Sequence, residues 1–304
     1  MSEKVESIRN IALVSHGGAG KTSLAEAMLF DAGVINRIGR IEDGNTALDF
    51  EPEEVKRTSS ISTGFHQLSW KKHGISLIDT PGDQNFFSDT KTCLQAADAA
   101  LVVIDAVDGI KVQTEQGWEF LDEFGLPRAI LINKLDRERA DFARTFAEIK
   151  EMFAPKPIIL QLPIGAESGF KGVVDLISQK AYLYGPDGKA KAADIPAEMK
   201  EEAAAERETL IENIAEADDA LVERYLEGET LSEEDLRNAL RKGTIARTFV
   251  PVLCGSATAN IGIDQLMDFV VGSLPSPADR RPKTGKDPAT GAEIERAPDP
   301  AAPF

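Results

Sequence analysis

A chain of 304 residues exceeds one average domain, so one large domain with an insertion, or two domains, is expected. Its 42% hydrophobic and 28% charged residues fit a soluble globular protein, and two cysteines are too few for a disulfide framework. The net charge of -17 argues against broad binding of a nucleic-acid backbone, and no run reaches the apolar length of a membrane span or a signal-peptide core. A reducing cytoplasm is the expected compartment.

In chain order, an apolar strand is predicted over residues 8–15. It runs through Ser15-His16-Gly17-Gly18-Ala19-Gly20-Lys21-Thr22 into a helix over 21–30. Strand, glycine-rich loop and helix form the setting of a phosphate-binding loop. Its backbone N–H groups turn toward an anion at a helix N-terminus. In that reading Lys21 reaches the β- and γ-phosphates and the Thr22 hydroxyl ligates Mg²⁺. The usual G-x-x-x-x-G-K-[ST] pattern begins with Gly, where this chain has Ser15. A glycine-rich turn with a chance Gly-Lys-Thr is the plain alternative, and the strand and helix context favours the phosphate site.

Between residues 31 and 62 neither the helical nor the strand period holds, and so long a loop in a compact domain is functional or mobile. Further strands are predicted at 64–70, 75–80, 100–107, 129–133 and 250–254, with helices over 113–124, 141–153 and 263–274. This alternation points to an α/β fold, a mostly parallel sheet with helices on both faces. From about 162 to 242 the character changes: a short β-like piece at 172–177 precedes helices over 196–227 and 232–241. Between Asp194 and Lys242 there are 16 acidic and 6 basic residues, by default a solvated helix face. The last 30 residues hold seven of the 16 prolines and read as a linker, which implies a longer parent protein.

The strand ending in Asp79-Thr80-Pro81-Gly82 can hold Mg²⁺ through water at Asp79 and offer the Gly82 N–H to a γ-phosphate. Another apolar strand ends in Asn133-Lys134-Leu135-Asp136. The Asp136 carboxylate can accept from guanine N1–H and its 2-amino group, which adenine cannot satisfy. Lys134 can lay its stem along the base, and Asn133 can tie this loop to the phosphate loop. Cys254-Gly255-Ser256-Ala257 closes the last strand, where backbone N–H groups can face guanine O6. Four motifs in this order, each at a strand's carboxyl end, fit ligand binding along that edge of an α/β sheet. The ligand expected is GTP or GDP with Mg²⁺.

With these residues the chain resembles a translational GTPase, specifically the GTP-binding domain of the elongation factor G family. The inserted segment extends the match through Leu162-Pro163-Ile164-Gly165-Ala166-Glu167, Phe170-Lys171-Gly172-Val173-Val174-Asp175-Leu176 and Gly243-Thr244-Ile245-Ala246, similar to that family's G′ subdomain. The resemblance implies a P-loop GTPase core over 1–158 and 245–280, a G′-like α+β insertion over 159–244, and a Pro-rich linker over 281–304. It implies a nucleotide site of Ser15, His16, Gly17, Gly18, Ala19, Gly20, Lys21, Thr22, Ser23, Asp79, Thr80, Pro81, Gly82, Asp83, Asn133, Lys134, Leu135, Asp136, Ser256 and Ala257. Mg²⁺ would fall to Thr22, Ser60 and, through water, Asp79; Lys21, Gly82 and Asp83 stand at the positions tied to hydrolysis. The partners implied are the ribosome, at its RNA and its stalk protein, with the acidic helices meeting the stalk. A monomer without membrane or DNA partners is expected.

Three positions depart from the family pattern. Gly18 stands where the phosphate loop usually has Asp, Arg57-Thr58-Ser59-Ser60 where the family has Arg-Gly-Ile-Thr, and Asp83 where it has the histidine that orients the attacking water. A carboxylate beside a polyanionic phosphate is unfavourable, which counts against fast, translocase-type hydrolysis and leaves nucleotide binding intact. A specialised paralogue for ribosome protection or recycling, and a GTP-bound switch with little turnover, are the alternatives to a translocation factor. An unrelated P-loop ATPase would require the Asn133–Asp136 motif to be accidental. Cys93, Cys254, His66 and His73 carry no expected chemistry.

Overall fold

The computed structural model describes residues 4–185, 188–280 and 282–299. The first half contains β1 (Ile8–Val14), α1 (Lys21–Asp31), α2 (Pro52–Arg57), β2 (Gly64–Trp70) and β3 (His73–Asp79). These are followed by α3 (Phe87–Cys93), β4 (Ala99–Asp105), α4 (Val112–Glu123), β5 (Arg128–Asn133) and α5 (Phe142–Met152). A run of short strands comes next: β6 (Pro157–Ile159), β7 (Gln161–Ile164), β8 (Gly172–Asp175), β9 (Lys180–Tyr184) and β10 (Ala190–Ala193). Helices α6 (Lys200–Ala215), α7 (Asp219–Leu226) and α8 (Glu233–Ala246) lead back to β11 (Val250–Cys254) and α9 (Ile263–Ser273). The chain closes on β12 (Lys283–Lys286) and β13 (Glu293–Arg296).

Seven strands form one sheet in the order β2-β3-β1-β4-β5-β11-β6, parallel except for the β2–β3 hairpin. Every residue of β4 and β5 is buried, as a parallel sheet covered on both faces requires. The hairpin turns through Lys71 and Lys72 at φ 46° and 66°, a two-residue turn whose twist suits the strands it joins.

Strands β7 to β10 form a separate antiparallel sheet. One apolar cluster nevertheless runs from Leu13 and Leu24 through Ile177 and Leu210 to Leu240 and Leu266. The insertion therefore shares a core with the main sheet. The separate hydrogen bonding of β7–β10 supports proposing 159–244 as a subdomain inserted between 1–158 and 245–280. Among the described residues no helix is long and apolar enough to cross a membrane.

Three expectations need correction. The stretch 31–62 contains α2, six residues with Pro52 at its start and reciprocal capping between Glu51 and Glu54; two turns are too few for a period to show. The helix expected over 196–227 is two helices: the N–H groups of Ala217 and Asp218 bond three residues back to Ile214 and Ala215, a tight last turn that ends α6 before α7 begins. The tail read as a linker pairs β12 with β13, while residues 281 and 300–304 lie outside the described set.

Gly243 lies inside α8, where an added Cβ would overlap the Phe249 ring and sit 2.9 Å from the Ala217 Cβ. Replacing Gly243 with Ala is expected to destabilise the fold by about 1–3 kcal/mol despite alanine's better helix propensity. Urea unfolding measures this, and Phe249→Leu in the same chain should recover part of the loss.

Candidate functional site

Strand β1 lies between β3 and β4, so the loop after Val14 leaves the sheet flanked by both of their ends. The register pairs Leu13 with Asp79, which sets the Asp79 carboxylate beside the loop. Gly18 and Gly20 take φ 86° and 97°, backbone that favours glycine, and Gly20 caps α1. The Gly17 N–H donates to the Gly82 carbonyl at 2.9 Å. A Cβ on Gly82 would overlap Lys21 Nζ and lie 2.5 Å from Gly17 N, so only glycine fits there.

Lys21 Nζ donates to the carbonyls of Ser15 and His16 at 3.0 and 2.9 Å. Burial pushes its pKa down to about 8, against the nearby Asp79 and Asp49 carboxylates. Ser15, His16, Thr80 and Pro81 are buried, and Thr80 Oγ1 anchors the strand end to the Leu13 carbonyl at 2.6 Å.

Thr22 Oγ1 lies 2.7 Å from Asp79 Oδ2 and 3.2 Å from Ser60 Oγ. Asp79 Oδ1 is buried without a hydrogen-bond partner, and burial raises this carboxyl to about 7 despite Lys21 and Thr22. Two hydroxyls and an orphaned carboxylate oxygen are the hard donors that Mg²⁺ takes, so the residues present fit that ion. Sequence reasoning missed Asp49, whose Oδ2 accepts from Ser60 Oγ at 3.0 Å and which is itself 5% exposed. No period or motif marked Asp49, because the stretch around it is irregular.

Two further carboxylates hold that stretch. Glu26 of α1 accepts from the N–H groups of Gly39 and Ala47 at 2.9 and 2.5 Å. Glu54 accepts from those of Ile61 and Ser62 at 2.9 and 3.1 Å, which fixes the backbone directly after Ser60. Asp83 caps a 3₁₀ turn: its Oδ1 accepts from the backbone and side-chain nitrogens of Asn85, both at 2.8 Å.

On the other side of the loop, Asn133 Nδ2 donates to the Ala19 carbonyl at 3.0 Å, and its Oδ1 accepts from Ala257 N at 3.0 Å. Lys134, at φ 65°, reaches back to the Gly18 carbonyl at 2.6 Å and Asp105 Oδ2 at 2.7 Å. Leu135 is buried, its N–H donating to the Gly255 carbonyl at 3.4 Å. Asp136 Oδ1 is buried and has no hydrogen-bond partner. Asp136 and Ser23 line a cleft of about 890 Å³ with Phe30, Arg37, Arg137 and Thr258.

The last loop departs from expectation. The N–H groups of Gly255, Ser256 and Ala257 already serve Ile132 O, Ile261 O and Asn133 Oδ1. The Thr258 N–H has no such partner among the described residues, and Thr258 lines the cleft. An Asx-free loop of four residues gives no sequence signal for which N–H stays open.

A family profile described as the elongation factor Tu GTP binding domain matches residues 6–276. Elongation factor G 2 of Syntrophus aciditrophicus is 41% identical over 297 residues, covering 97% of this chain and 44% of that protein. Elongation factor G of Thermotoga maritima is 40% identical over 302 residues, 99% of this chain and 44% of that protein. A crystal structure of a Thermus thermophilus protein superposes with a TM-score of 0.85 at 33% identity, over 95% of this chain and 45% of that one. The chain therefore spans less than half the length of these relatives.

Gly18 and Gly20 share a positive φ, but a Cβ on Gly18 meets nothing within 4 Å, whereas one on Gly20 lies 2.6 Å from Asn133 Nδ2. Gly18→Ala is expected to cost only backbone strain, on the order of 1 kcal/mol. Gly20→Ala should also part the two loops and weaken nucleotide binding at least about tenfold, roughly 1.4 kcal/mol. Titration of a fluorescent nucleotide into both variants distinguishes the two effects.

Proposed function

The chain belongs to the elongation factor Tu GTP binding domain family, and from that premise we propose that it binds GTP with Mg²⁺ and hydrolyses it as the nucleotide domain of an elongation factor G-like translation factor. The observation that carries the guanine reading is the buried, unpartnered Asp136 Oδ1 at the cleft beside the phosphate loop. A carboxylate oxygen left so is unfavourable until a donor reaches it, and guanine offers N–H donors where adenine does not. Thr258 N–H supplies a donor on the same cleft wall for the base oxygen.

In this reading the N–H groups of the 15–22 loop other than that of Gly17, which is held by Gly82, cradle the phosphates with Lys21. Thr22, Ser60 and Asp79 would hold Mg²⁺, with Asp49 alongside, and the ion would neutralise charge building on the β- and γ-phosphate oxygens. Gly82 brings its N–H to the γ-phosphate side because its lack of a side chain admits Lys21 and Gly17. Asp83 stands where a water-orienting residue belongs, but its Oδ1 is committed to Asn85 and its charge opposes the phosphate. Slow hydrolysis follows.

Glu201, Glu208 and Glu212 on α6 and Glu216 at its C-terminal cap recur at near-helical spacing and are exposed. They present an acidic stripe suited to the lysine-bearing stalk of a ribosome in the cytoplasm, acting within about a Debye length of 8 Å. We take the working unit to be a monomer.

Asp136→Asn is expected to weaken GTP about 100-fold, two charge-assisted hydrogen bonds at roughly 1.5 kcal/mol each, and to favour xanthosine nucleotides, whose 2-oxo group accepts the new amide. Calorimetric titration with both nucleotides checks this; equal GTP affinity in the variant would sink the assignment. Asp83→His should raise ribosome-stimulated phosphate release at least about tenfold, within the range of one positioned catalytic group, measured in the full-length protein. Reversing three of the α6 glutamates should slow association with ribosomes at low salt and leave GTP affinity unmoved, as stopped-flow mixing would read.

A further inference from the structure

His16 is 2% exposed in the phosphate loop, yet its ring is only half used. Nδ1 lies 2.8 Å from Thr114 Oγ1 on α4, while Nε2 is buried with no hydrogen-bond partner. A buried polar atom without a partner is uncommon and points to a missing one. One ring nitrogen of His16 and one oxygen each from Asp105 and Asp108 lie within 4.8 Å of one another. These two aspartates come from the end of β4 and the turn after it.

The ring's state suits a ligand. Burial, with Lys111 and Lys21 nearby, pushes the His16 pKa down to about 4, so the imidazole is neutral near pH 7. In the tautomer where Nδ1–H donates to the Thr114 hydroxyl, the free lone pair is on Nε2, the arrangement in which a hydroxyl or carbonyl orients a metal-binding histidine. Asp105 is held in the same way: Oδ1 accepts from Val107 N and Asp108 N at 2.8 and 3.2 Å, and Oδ2 from Lys134 at 2.7 Å. The cations facing this cluster are Lys111, Lys134 and, beside His16, Lys21. The Lys111–Asp108 pair, at 2.5 Å, joins side chains 44% and 50% exposed, so it is readily given up to water.

We propose that His16 Nε2, Asp105 and Asp108 form a binding site for a divalent transition-metal ion of the Zn²⁺, Co²⁺ or Mn²⁺ kind, with the Lys111 ammonium as its competitor. One imidazole and two carboxylates select such ions over Mg²⁺, which prefers oxygen alone. The fourth position is left to water. The site shares no donor with Thr22, Ser60 and Asp79, and an ion there would tie the phosphate loop to the turn after β4.

The chain has three histidines, so a His66→Ala, His73→Ala background leaves His16 as the only imidazole. Co²⁺ is titrated into that protein, saturated with GTP in excess Mg²⁺, by calorimetry and visible absorption. One Co²⁺ per chain is expected, with d–d bands of a nitrogen-containing site. Asp108→Asn should weaken it at least tenfold, and Lys111→Ala should tighten it several-fold by removing the competitor. Both positions are exposed, so folding and GTP affinity should hold. Failure to retain Co²⁺ against Mg²⁺, parental affinity in Asp108→Asn, or no tightening in Lys111→Ala would each overturn the site.

Discussion

The Asn133 amide holds together three loops that the chain order keeps far apart. Its NH₂ group donates to Ala19 in the phosphate loop and its oxygen accepts from Ala257 in the loop after β11. Only a side chain that both donates and accepts makes the two bonds at once. The approach depends on Gly20, since a Cβ there would lie 2.6 Å from the amide nitrogen. Lys134 doubles the tie by spanning from Gly18 to Asp105. The distance between the phosphate cradle and the base cleft is thereby set by short polar contacts, before any ligand arrives.

The other half of the site is organised by buried acids. A buried carboxylate is costly unless it is hydrogen-bonded, and Glu26 and Glu54 each take two backbone N–H groups from the irregular stretch between α1 and β2. That stretch has few apolar anchors, so these bonds, with Leu48, decide its course. They bring Asp49 and Ser60 to Thr22 and Asp79, where negative charge gathers around the buried ammonium of Lys21. Such a cluster of oxygen donors suits a divalent ion, and its repulsion eases when one is present.

Much of the fold was legible because the central strands are uniformly apolar and helices such as α5 and α9 are amphipathic. Strands β2 and β11 and the start of α1 fall where the sequence pattern puts them, and most other ends shift by a residue or two; α8 runs five residues past its expected end, and α6 starts four residues late. What escaped was short or exposed: α2 has six residues, β6 three, and β12 no buried residue. Periodicity needs more turns than these supply. The break between α6 and α7 escaped for a different reason, since a polar helix surface carries no mark of where the core lies.

Sequence alone determined which chemistry the strand ends carry, because a glycine-rich loop with Lys21 and Thr22, an aspartate at Asp79 and the Asn133–Asp136 run each need only local chain to be recognised. The elongation factor resemblance rested on the same residues and on the inserted runs at 162–167, 170–176 and 243–246. Tertiary structure decided what no local window contains. Asp49 joins the donors of Thr22 only because Glu26 and Glu54 fold the intervening loop back. Thr258 rather than Ala257 keeps an open N–H because Asn133 takes the latter. His16 meets Asp105 and Asp108 only because β1 and β4 are neighbours in the sheet. In each case the partner lies tens of residues away, and strand order and buried hydrogen bonds set the meeting point.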